Sequence, residues 1–86
     1  MIIRSQRKGM ILNMDCISKI YVDDVVYQDT KSIEYGIVAD KEIIGVYSTE
    51  EKAIKVLDMM QAKVMLAYKV FEMPSDEEVE VQHEKS

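Results

Sequence analysis

The sequence predicts an α+β fold: an antiparallel sheet of four to five strands with one long helix packed on one face. Between residues 9 and 47, short apolar runs rich in β-branched residues and tyrosine alternate with polar turns. At Ser48 the apolar period changes from two to three and four. The turns between the runs are two to five residues long, and connections that short join antiparallel neighbours, because a parallel crossover needs a dozen residues or more.

Each element has its own local reason. In "GMILNM", residues 9–14, Met10, Leu12 and Met14 alternate with Ile11 and Asn13, the pattern of a half-buried strand. Asn13 and Asp15 supply turn character before "ISKIYV", residues 17–22, the next strand. Asp23 and Asp24 interrupt that run, and "VVY" at 25–27 continues it past a bulge. After the reverse turn "QDTK", "SIEYGIVA" at 32–39 places Ile33, Tyr35, Ile37 and Ala39 on one face and Glu34, Gly36 and Val38 on the other. "DKE" turns the chain into "IIGVY", the strand at 43–47.

Ser48 and Glu51 have capping-box spacing, and Glu50 and Glu51 suit the positive end of a helix dipole. Glu51 and Lys55 form an i,i+4 pair in the favourable order. Ala53, Val56, Leu57, Met60, Val64 and Ala67 recur at helical spacing, so a helix over about 49–67, roughly 28 Å long, packs that stripe on the sheet. "KVFEM", 69–73, suits a final strand, the alternative being an extension of the helix to Pro74. The domain thus covers 1–74. Residues 75–86, "SDEEVEVQHEKS", read as an acidic flexible tail in which only Val79 and Val81 are apolar.

Eighty-six residues with 48% apolar and 31% charged side chains make one small globular domain. The net charge of −5 disfavours nucleic acid as a partner, since phosphate binding needs a concentrated basic face. Arg4, Arg7 and Lys8 are the weak anion-contact candidates, and an exposed N-terminal edge is the better account of them. The opening lacks the apolar core and cleavage site of a signal peptide. The most apolar window, 53–73, carries Lys55, Asp58, Lys63, Lys69 and Glu72, which excludes a membrane span. Cys16 is the single cysteine, so no internal disulfide forms and the chain reads as cytoplasmic.

Catalytic chemistry finds no foothold. Gly9, Gly36 and Gly45 lack phosphate-loop spacing, and one cysteine with one histidine cannot build a zinc site. His83 falls in the tail, where a general base has no fixed position. Asp15 beside Cys16 opposes thiolate formation. Asp23 and Asp24, adjacent on a strand, point to opposite faces and cannot easily share one ligand unless a bulge turns them, so solvated turn acids are the better reading. Tyr21, Tyr27, Tyr35 and Tyr47 fall on strands, where packing explains them. No catalytic, cofactor-binding or metal-binding residue is assigned, and the chain does not read as an enzyme.

"MIIRSQ", "ILNMD" at 11–15 and "GVYSTEEKAIKVLDMMQ" at 45–61 resemble a family of short uncharacterised proteins of gram-positive bacteria and their prophages. That family has no assigned activity, so the resemblance implies no site residue and no cofactor.

One feature of the helix calls for a partner. Met59, Ala62, Met65 and Leu66 form a second apolar stripe opposite the core stripe, confined to its C-terminal half. Contiguous exposed apolar area marks an interaction surface. The expectation is an accessory or interaction module that self-associates there as a homodimer, or binds one protein partner. The alternative is a small nucleic-acid-associated regulator using Arg4, Arg7 and Lys8.

Overall fold

The computed structural model describes residues 1–80, in the order β1 (Ile2–Arg4), β2 (Ile11–Asn13), β3 (Ile20–Val26), β4 (Ile33–Ala39), β5 (Glu42–Tyr47), α1 (Glu50–Met65) and β6 (Val70–Glu72). The fold is α+β, but the strands form two three-stranded sheets, β3-β4-β5 and β2-β1-β6, where one sheet of four to five was expected. The first is the anticipated antiparallel meander. The second exists because β1, too short to show a period, sits between β2 (antiparallel) and β6 (parallel). Its inner row is Leu12, Ile3 and Phe71, and this row closes the core that Ile37, Ala39, Ile44 and Tyr47 share with Ala53, Val56 and Met60 of the helix.

Gln6 joins the sheets. Its backbone N–H donates to the Ile44 carbonyl at 2.8 Å. Its side-chain amide then copies a strand residue: Oε1 accepts from the Val46 N–H at 2.9 Å, and Nε2 donates to the Val46 carbonyl at 3.0 Å. β5 thereby gains a partner along its outer edge without a further strand. The Tyr47 ring packs behind it over Gly45, where an added Cβ would lie 2.9 Å from Met73 Cε and 3.2 Å from the ring.

β3 is continuous. Asp23 and Asp24 pair in register with Gly36 and Tyr35, so the expected bulge is absent there; the ladder's irregularity lies between Ile37 and Val38, against β5. An edge position leaves both carboxylates in solvent, which removes the burial cost that would have broken the strand. Asp40, at positive φ in the two-residue turn between β4 and β5, accepts from the Ser18 and Lys19 N–H groups and so fixes where β3 begins.

The helix is shorter than 49–67. Its N-cap is Thr49, whose hydroxyl accepts from the Lys52 N–H at 3.2 Å, and not Ser48. Ser48 is taken by Asp76, which accepts from its N–H at 2.8 Å and its hydroxyl at 3.1 Å. At the other end Ala67 adopts φ 59°, with Tyr68 N–H bonded to the Lys63 carbonyl and Ala67 N–H to that of Val64. This is the Schellman arrangement with alanine where glycine is usual, so Ala67 lies beyond the helix and leaves the core stripe.

Residues 75–80 do not form a tail. Ser75 and Glu78 cap one another: the Ser75 N–H donates to the Glu78 carboxylate at 2.8 Å and the Glu78 N–H to Ser75 Oγ at 3.3 Å. The resulting turn drives Val79 into the core, 4% exposed. Tyr47 Oη donates to the Pro74 carbonyl at 2.7 Å, and Lys52 Nζ donates to the Asp76 carbonyl at 2.9 Å. The rest of the expected tail, with Val81 and His83, lies outside the described residues.

Candidate interaction surface

Only the first three turns of the helix bury their stripe. Ala53, Val56 and Met60 are sealed, and Leu57 and Met59 pack partly against them. Val64 is 47% exposed and borders two surface hollows. The four expected interface residues therefore part company. Ala62, Met65 and Leu66 are exposed, and Met59 is a half-covered border residue, not an open one. Met65 at 78% and Leu66 at 68% are the most exposed large apolar side chains among the described residues.

The patch extends beyond the helix. Val64, Ala67 and Tyr68 border a shallow hollow of about 540 Å³ whose opposite wall is Met1, Ile2 and Met14. Ile2, Tyr68 and Val70 are each about half exposed. Lys63 Nζ stands 4.0 Å from the centroid of the Tyr68 ring, which fixes the ring at the rim and adds a cation–π contact. The surface thus joins an apolar helix end, with Lys63 beside it, to a hollow whose lining also includes Asn13, Asp15 and Lys69.

The basic cluster does not converge on one ligand. Arg4 Nε donates to the Lys8 carbonyl at 2.9 Å, and Lys8 Nζ pairs with Glu72 at 3.1 Å. Arg7 has neither a hydrogen bond nor an ion pair among the described residues, and it lines a cleft of about 620 Å³ with Tyr27, Glu34 and Ile43. A hydrogen bond to the Glu34 carboxylate raises the Tyr27 pKa, burial and the Glu34 charge adding to it. Burial, followed by the charges of Asp76 and Glu78, pushes Tyr47 well above the ordinary phenol range. Tyr47 is a structural hydroxyl, spent on Pro74.

The remaining candidates lie apart. Cys16 is exposed on a short 3-10 turn, Met14–Cys16. Tyr21 lies beneath Lys19, 5.2 Å from ring centroid to Nζ, and Tyr35 packs on the core. Among the described residues, no group of three or more His, Cys, Asp or Glu could hold a metal ion, and no helix is long and apolar enough to cross a membrane. Gln6, which ties to β5, and Asp76, which holds the start of the helix, organise the fold away from this surface and were not legible as such. The only signal for the second was the S-x-x-E spacing of "SDEE".

A family model described as a domain of unknown function (DUF7336) matches residues 18–85, a span that holds the whole helix and starts after Arg4, Arg7 and Lys8. No curated protein and no solved structure matches the chain.

Proposed function

The chain belongs to the family defined by this domain of unknown function, and we propose that it is a non-enzymatic interaction module that self-associates through the C-terminal end of its helix. The observation that carries the reading is the adjacency of Met65 and Leu66, exposed at 78% and 68%, with Ala62, Val64 and Tyr68. An isolated surface leucine needs no explanation, but side chains of this size gathered at one helix end are costly to leave in water.

A two-fold dimer is the simplest cover. The same patch serves both protomers, so one surface answers for both halves of the contact. Methionine adapts its shape to a facing copy, and Lys63 and Lys69 flank the contact with groups that stay hydrated. A single protein partner presenting an apolar helix or strand would use the same surface. The lone Cys16 and the charged helix support a cytoplasmic setting, and the resemblance supports a gram-positive or prophage one.

Leu66→Glu and Met65→Glu each place a carboxylate inside the contact without touching the core. Both are expected to halve the hydrodynamic mass while far-ultraviolet circular dichroism stays unchanged. Met60→Glu, at a position 2% exposed, is expected to unfold the domain. An unmodified chain of monomeric mass would sink the self-association, and unfolding by Leu66→Glu would show that this face is packed within the protomer.

A further inference from the structure

β3 is an outer strand, paired with β4 on one side only. The Asp40 N–H donates to the Lys19 carbonyl and the Tyr27 N–H to the Ser32 carbonyl, and these two bonds fix the phase of the ladder. Tyr21, Asp23 and Val25 turn their main-chain groups towards β4, whereas Ile20, Val22, Asp24 and Val26 turn theirs outward. Of those four outward N–H groups, only that of Asp24 has a partner among the described residues, Asp23 Oδ1 at 2.9 Å. Beside the start of this edge lies a groove of about 410 Å³, lined by Ile17, Ile20, Leu57, Met60 and Val64. The lining comes from the approach to β3, its first residue and the helix, and it includes the polar Ser18, Lys19 and Gln61.

An open row of donors and acceptors with an apolar groove at one end has the two parts that strand addition requires: main-chain pairing for affinity and a recess for a side chain. We propose that this edge docks an extended basic segment of a partner protein, added as a strand beside β3, with an aliphatic side chain in the groove and lysine or arginine beside Asp23 and Asp24. Charge selects the occupant. A second copy pairing antiparallel about Asp23 would set Asp23 opposite its own equivalent and bring both Asp24 residues near, a like-charge ladder. The same acids attract a basic strand, and the net charge of −5 steers one towards the protein. From Ile20 to Asp24 the strand advances roughly 13 Å, so the aliphatic and basic residues of the ligand stand about four positions apart. This docking is independent of the helix-end contact.

The test titrates the full chain with two capped synthetic peptides, one carrying lysine three and four positions from a valine and one carrying glutamate at those two positions, and reads amide exchange by NMR. The lysine peptide is expected to slow exchange at Ile20, Val22 and Val26, and to bind about tenfold tighter than the glutamate peptide at low salt. The difference shrinks as salt rises. Val26→Pro removes an unpartnered outward N–H at an exposed position without breaking a ladder bond or changing the charge; it is expected to weaken binding with the circular dichroism retained. Asp23→Asn with Asp24→Asn keeps the edge and is expected to erase the preference for lysine. Equal binding of the two peptides, no binding at millimolar concentration, or protection confined to residues 62–68 overturns the proposal.

Discussion

Replacing Val79 with alanine tests whether the segment after Pro74 belongs to the domain. Val79 is 4% exposed and lies in the same cluster as Ile3, Phe71 and Met73. The change removes two methyl groups, worth about 0.8 kcal/mol each in transfer, and leaves a cavity that the surroundings only partly fill, for a total of about 2 kcal/mol. In a domain of this size each kcal/mol moves the Tm by about 4–8 °C, so the midpoint should fall by roughly 8–16 °C. Urea unfolding followed by circular dichroism reads the same loss as a lower midpoint at an unchanged slope. Ending the chain after Pro74 should cost more, because it also frees Ser48 and Lys52 from Asp76. Glu77→Ala, at an exposed position, is the control and should stay within about 0.5 kcal/mol of the unmodified protein. A Val79→Ala variant as stable as Glu77→Ala would refute the packing of residues 75–80 and restore the acidic tail.

Ala67→Gly should stabilise the domain by about 1 kcal/mol, since glycine adopts the φ of 59° seen there without the alanine Cβ penalty; a lower Tm would contradict the Schellman end. Gln6→Ala strands the Val46 N–H and carbonyl, and should cost about 2–4 kcal/mol in urea unfolding; a loss below about 0.5 kcal/mol would show that Gln6 does not join the sheets. Burial alone would raise the Asp76 pKa, but the Ser48 N–H, the Ser48 hydroxyl and Lys52 outweigh it, and the group titrates below its ordinary 3.8. The unfolded chain then takes up its proton first, so the stabilisation is complete above the ordinary value and is lost as pH falls through the lowered one. Asp76→Asn should flatten that acid limb of the Tm–pH curve, and an unchanged limb would remove Asp76 as its cause.

Periodicity located most elements because β4, β5 and the first three turns of α1 each carry an apolar row that packs into the shared core. It failed where structure depends on distant partners. β1 is three residues long and owes its place to the parallel pairing with β6, sixty-eight positions later in the register Ile2 to Val70. Asp23 and Asp24 read as a break because carboxylates oppose burial, yet an edge strand leaves them in water. The second apolar stripe was legible at Ala62, Met65 and Leu66. It was overdrawn at Met59, which sits early enough in the helix to be half covered by the core cluster. The length of the helix was overdrawn for a similar reason. Alanine at position 67 gives no stop signal, and the turn is imposed by the chain's need to bring Val70 alongside Ile2.

Sedimentation equilibrium of the unmodified chain over a concentration series tests the self-association most directly. The chain mass is 9.9 kDa, and the expected weight-average mass rises towards twice that value with concentration, while the Leu66→Glu chain stays at the monomer value throughout. A single monomeric mass for the unmodified chain up to high micromolar concentration would contradict it.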